Sequence, residues 1–132
     1  MTPPDDSPFS IARELLDELA YTAAVRDLKA HADCFSRKLR VLGVPGVDAL
    51  DYDDWYVRRS NELCKPLLYS LGYRDLAIKE ADDREITFSV REVMKGMQGI
   101  TMVLDKDMTL AREVDGRWRV VLDDIKGVNF KE

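Results

Sequence analysis

The chain has 132 residues, with 25 acidic and 20 basic side chains and a net charge of −5. That length fits one domain with a core that needs no covalent staples. The acidic balance argues against a nucleic-acid partner, because phosphate binding wants a basic face. No apolar run approaches the ~20 residues that span a bilayer. One histidine and two cysteines, Cys34 and Cys64, are too few and too scattered for a structural zinc site.

Residues 1–7, acidic and proline-rich, read as a disordered tail unlike a targeting signal. With the cysteines read as buried free thiols in helices, the chain reads as a soluble cytoplasmic protein. Ser7-Pro8 opens a helix, with serine as cap and proline in the first turn. Ile11, Leu15, Leu19, Val25, Leu28, Ala32 and Phe35 keep a helical period to about residue 36. This is one helix or two, with a break near Tyr21-Thr22 or at Asp27, a potential second cap. Val44-Pro45-Gly46-Val47 suits a type II turn, and Leu39–Val44 before it suits a short strand. Asp51, Asp53 and Asp54 open a further helix, from about Tyr52 to Cys64, which Pro66 ends or kinks.

After Gly72 the period becomes two. Leu76 and Ile78 alternate with polar or small neighbours, as do Ile86, Phe88 and Val90. Lys95–Gly99 reads as a turn. Ile100, Met102, Leu104, Met108, Leu110 and Val114 share one parity, with a bend expected at Asp105–Asp107. Asp115-Gly116 then predicts a type I′ hairpin, followed by Trp118, Val120 and Leu122 on one face. Helices followed by about four antiparallel strands make an α+β domain over residues 8–132.

Three pieces of this order resemble the NTF2-like superfamily, which includes SnoaL-like cyclases and ketosteroid isomerases. They are the N-terminal helical stretch ending near Phe35, the acidic-aromatic helix start DYDDWYVRR, and the closing hairpin LAREVDGRWRVV. The resemblance covers residues 9–126. It implies N-terminal helices packed on a strongly curved antiparallel sheet, a cone with a pocket at its open end. It also implies homodimerisation through the outer sheet face. The region 39–50 is shorter than the strand pair usual in the family, which implies a reduced wall. No family catalytic motif can be placed residue by residue.

No phosphate-binding loop or nucleophile elbow is present. Candidate chemistry is therefore sought as polar groups on apolar faces. His31 lies beside the helical stripe, where it would act as acid or base. Its plainer reading is a flank histidine bonded to backbone or water. Glu92 shares the parity of Phe88 and Val90, so an inward carboxylate of raised pKa is expected, unless a bulge turns it out. Asp124 shares the parity of Trp118 and Val120 near the strand end, unless the strand frays there. Tyr21, Trp55, Tyr56, Phe88, Met102 and Trp118 are candidate pocket-lining residues; the plainer reading of helical aromatics is core. Arg58-Arg59 would pair with an anion or form a solvated face. The small-residue face Thr101, Val103, Thr109 and Ala111 suits packing against a second copy.

These features point first to a small-molecule-binding domain with a largely apolar pocket. The alternatives are an isomerase, dehydratase or cyclase that abstracts a proton next to a carbonyl, and a non-catalytic dimeric association module. Expected partners are a small apolar molecule and a second copy, with no nucleic acid, membrane, metal or cofactor.

Overall fold

In the computed structural model, residues 7–65, 68–96 and 99–131 are described. Ser7 caps α1 (Pro8–Ala24): its Oγ accepts the Ser10 N–H at 3.2 Å. Ala12, Leu15, Leu16, Leu19 and Ala23 form its buried stripe. The helix stops because Arg26 takes a left-handed conformation, φ +58°, which reverses the chain. Asp27 then caps α2 (Leu28–Ala32), accepting the Ala30 N–H at 3.1 Å. Of the two break points open in the sequence, the chain uses Asp27.

The helical pattern does not continue to residue 36. Cys34 lies in the turn after α2 and Phe35 begins β1 (Phe35–Leu42). Cys34 is buried, with its thiol pushed up to about 12, chiefly by burial. Cys64 is exposed, contrary to the buried expectation. In the following loop Gly46 has φ +84° and Val47 N–H reaches Val44 O, as the turn reading requires. The isolated Val41–Leu50 bridge stands where the shortened strand pair was expected. A reciprocal capping box between Asp51 and Asp54 starts α3 (Tyr52–Cys64). Pro66 lies outside the described residues.

Four longer strands follow: β2 (Leu68–Ala81), β3 (Glu85–Gly96), β4 (Thr101–Arg112) and β5 (Trp118–Lys131). They form one sheet in the order β1-β5-β4-β3-β2. The sheet has five strands and is mixed, because β1 pairs parallel with β5 while the other pairs are antiparallel. Strand β2 also begins before Gly72, four residues earlier than its alternation suggested. The closing hairpin is not type I′. Glu113 N–H pairs with Arg117 O, leaving a three-residue loop in which Gly116 is left-handed and Asp115 is not. One left-handed glycine after a tight turn is the three-residue hairpin solution.

Two apolar clusters fill the space between helices and sheet. The larger holds Leu16, Leu19, Phe35, Phe88, Met108, Leu110 and Val120. The smaller holds Ala23, Leu63, Leu68, Leu71, Met94 and Leu104. Burying apolar surface contributes roughly 25 cal/mol per Å², so both clusters stabilise the cone. What separates them is polar.

Candidate functional site

Following each element across the gap between the two clusters gives a layer. On α1 it is Thr22, on α3 Arg59, on β3 Glu92, on β4 Lys106 and on β5 Asp123. His31 joins from α2 and the half-buried Tyr73 from β2. Exposure is 0% for His31, 6% for Arg59, 2% for Glu92, 5% for Lys106 and 4% for Asp123.

Two chains of contacts run through the layer. In the first, Lys106 Nζ lies 2.9 Å from Asp123 Oδ2 and 3.0 Å from Glu92 Oε1. The Tyr73 hydroxyl donates to Glu92 Oε2 at 2.7 Å. Glu92 Oε1 meets Lys106 as an ion pair without a well-aimed hydrogen bond, and Asp123 Oδ1 has no partner among the described residues. In the second, Arg59 Nη1 lies 2.6 Å from His31 Nε2, and His31 Nδ1 lies 2.9 Å from Thr22 Oγ1. A guanidinium only donates, so Nε2 accepts and the proton sits on Nδ1. Thr22 receives that proton's bond and passes its own hydroxyl hydrogen to Glu18 O at 2.8 Å. Arg59 Nε also donates to Glu62 Oε1 at 3.2 Å.

These contacts set the charges. Burial, reinforced by Arg59, lowers the His31 pKa to about 3, so the imidazole is neutral. Burial disfavours the Lys106 ammonium, but Asp123 and Glu92 outweigh it and raise its pKa. The Glu92 carboxyl is pushed up by burial, yet Lys106, Arg59 and the Tyr73 hydroxyl hold it below its ordinary value. Asp123 goes the other way: burial and the Glu92 charge raise it despite Lys106. The pair is thus split into an ionised carboxylate and one that retains its proton more readily.

Of the residues singled out in the sequence, His31 and Glu92 lie in this layer. Asp124 does not. Strand β5 bulges between Val120 and Leu122, so Leu110 faces Val120, Thr109 faces Leu122 and Met108 faces Asp123. The extra residue reverses the parity. Asp123 turns inward, and Asp124 faces out and pairs with Lys126 at 2.8 Å. Tyr21 is 66% exposed, on the outer side of α1, so it lines no interior pocket. Phe88 is plain core, Met102 packs half-buried on the smaller cluster, and Trp55 packs against Phe35 with ring centroids 4.0 Å apart. Arg59 is buried while Arg58 is exposed, which parts the basic doublet.

Lys106 was findable, because it shares the parity of Leu104 and Met108. Asp123 was hidden by the bulge, and Tyr73 by irregular β2 pairing around Asp75, φ +59°.

Two surface clefts lie away from the layer. One, of about 970 Å³, runs between α2, β1 and α3, and Tyr56 lines it. The other, of about 610 Å³, lies by the start of α1, and Trp118 lines it. Neither is lined by Glu92, Lys106 or Asp123. Tyr56 and Trp118 therefore border outer clefts and not the expected interior pocket.

The arrangement of helices and sheet has close counterparts among solved structures. An NTF2-like protein of unknown function from Shewanella oneidensis superposes with a TM-score of 0.75 at 16% identity, over 90% of this chain and 98% of that one. An NTF2-like protein from Cytophaga hutchinsonii gives 0.73 at 13% identity, over 90% and 97%. A protein provisionally named scytalone dehydratase from Novosphingobium aromaticivorans gives 0.69 at 12% identity, over 93% and 85%. No family profile and no curated protein matches the sequence. The chain has the NTF2-like cone fold, with N-terminal helices on an antiparallel-dominated sheet.

Proposed function

We propose that the chain binds a small, mostly apolar molecule inside the cone, with one polar group of the ligand meeting the buried layer. The observation that carries this reading is Asp123 Oδ1, a buried carboxylate oxygen with no hydrogen-bond partner among the described residues. Taking ions out of water costs several kcal/mol each, and an apolar replacement of a buried ion network is often as stable. A layer that splits an apolar core is therefore poorly explained by stability alone. Perturbed, charge-coupled groups of this kind cluster at functional sites. The ligand's apolar body would replace contacts of the smaller cluster, where Met102, Ile125 and Val128 are only half-buried. Its hydroxyl or carbonyl would reach Asp123 and Lys106.

A titration with 2-naphthol, an apolar molecule with one hydroxyl, tests this by amide NMR. Saturable shifts are expected at Glu92, Leu104, Lys106 and Asp123, and Asp123→Asn should weaken them. Shifts confined to the surface would sink the reading.

The opposite pKa shifts of Glu92 and Asp123 favour a second, catalytic reading. Asp123 would take a proton from carbon next to a carbonyl while Lys106 stabilises the oxygen on which charge develops. The Novosphingobium neighbour bears the name of a dehydratase, though its similarity speaks only to fold. Here Asp123→Asn would abolish turnover of a responsive substrate while Asp124→Asn would not. Equal activity of both variants would remove Asp123 from that role.

A further inference from the structure

The basic run Arg37-Lys38 plays no part in the interior layer. Its placement follows from an irregularity in β1. Phe35 pairs with Val120 and Arg40 with Leu122, so five steps along β1 match two along β5. The surplus residues break the regular pairing, with Ser36 and Leu39 buried and Arg37 and Lys38 exposed. Ser36 fixes the irregularity: its Oγ accepts the Lys38 N–H at 3.1 Å and donates to Glu113 Oε2 at 2.9 Å. As a result consecutive residues Arg37 and Lys38, which a regular strand would send to opposite faces, both line the 970 Å³ cleft. Bulges commonly re-aim side chains in this way next to functional sites.

The opposite wall is aromatic. Tyr52 and Tyr56 sit one helical turn apart on α3, with rings stacked at 28° and centroids 6.1 Å apart. The Arg37 guanidinium lies over the Tyr52 ring, 4.6 Å from its centroid. Tyr56, 37% exposed, borders the open space.

Charge in the cleft is unevenly committed. Asp33 and Glu113 are taken by Arg119, which pairs with both. Asp27 is used as the α2 cap, while Asp53, in the first turn of α3, lines the cleft with no ion pair among the described residues. Arg37 and Lys38 make no ion pair to any described carboxylate. With Lys29, the cleft thus presents three cations without an ion pair among the described residues, against one carboxylate, Asp53, that makes neither an ion pair nor a cap there, beside the exposed Tyr56 ring.

We propose that this outer cleft is a binding site for a planar aromatic anion, of the aryl carboxylate class. The ring of the ligand would continue the Tyr52–Tyr56 stack, and its carboxylate would lie between Arg37 and Lys38. An arginine held over an aromatic ring is pre-oriented and weakly hydrated, which suits it to a carboxylate. The site is separate from the interior layer and does not depend on it.

The test compares 2-naphthoate with 2-naphthol, which share a ring and differ in charge, followed by amide NMR. Naphthoate is expected to shift Ser36, Arg37, Lys38, Tyr52 and Tyr56, and to bind there at least about tenfold more tightly than naphthol. Arg37→Gln with Lys38→Gln should remove that preference, and Tyr56→Ala should weaken both compounds. These are exposed positions, so the variants should remain folded, as the spectra themselves report. The proposal is overturned if naphthoate and naphthol shift these amides equally, if naphthoate shifts only Glu92 and Asp123, or if no saturable shift occurs.

Discussion

Replacing Lys106 with methionine removes the ammonium held between two buried carboxylates. Lys106 lies 2.9 Å from Asp123 and 3.0 Å from Glu92, with side-chain exposures of 4%, 6% and 2% respectively. Removing one partner of a buried ion pair leaves an uncompensated charge and typically costs about 3–5 kcal/mol. Methionine nearly matches the lysine stem in volume, so little of the loss arises from a cavity. The cost should depend on pH. Asp123 already has a raised pKa in the folded chain, and losing Lys106 raises it further. A carboxyl with a raised folded pKa binds more protons when folded than when unfolded, so its effect lowers stability as pH rises above the unfolded value of about 3.9. Lys106→Met should therefore be more destabilised near pH 8 than near pH 5, recovering as acid protonates Asp123. Urea unfolding of both chains across that range measures this. A variant within about 0.5 kcal/mol of the parent at every pH would refute the layer as a coupled charge network. So would a loss that does not change with pH.

Further outcomes concern His31, Arg26 and Gly43. His31, lowered to about 3, should not titrate above pH 4 and should carry its proton on Nδ1, which imidazole NMR reads directly. Because the unfolded histidine titrates near 6.5, this group should cost stability by up to roughly 1.4 kcal/mol per pH unit as pH falls below about 6.5; His31→Gln should remove that part of the acid sensitivity. Arg26 donates to Leu63 O at 2.7 Å and to Leu68 O at 2.9 Å, so Arg26→Ala should cost about 1–3 kcal/mol in urea unfolding. Arg26→Gly loses the same bonds but relieves the left-handed backbone, and should be about 1 kcal/mol less harmful than alanine. Gly43→Ala should fail to fold or lose several kcal/mol, since φ is +82° and an added carbon would collide with the Ile125 carbonyl; near-parental stability would mean the strand ends part freely.

Local chemistry made the helix starts legible. Ser7, Asp27 and Asp51 each accept the backbone N–H three residues on; Ser7 and Asp27 were visible as caps and Asp51 as part of an acidic helix start. Alternation made β3 and β4 legible, and through them Glu92. What alternation cannot register is an added residue. The reading of β5 held as far as Val120 and failed one step later, where the bulge exchanged Asp124 for Asp123. The parallel pairing of β1 with β5 was hidden for another reason. It joins residues about 80 positions apart, and nothing local in Phe35–Leu42 states what lies beside it. Arg59 illustrates a third limit. Its neighbour Arg58 has the same chemistry, and the packing of α3 against His31, with Arg59 over the Trp55 ring one turn away, decides which of the two is buried.

The doublet Asp123-Asp124 gives the bulge in β5 an unusual consequence. Slipping a strand by one residue normally replaces the inward side chain with one of different character. Here the two neighbours are identical. Were the bulge to migrate or be lost, so that Asp124 turned towards Lys106, the ammonium would still meet an aspartate. The sequence therefore insures this charge against a misaligned final strand, and variants that shorten β5 by one residue upstream of the doublet should keep an acid inside the cone.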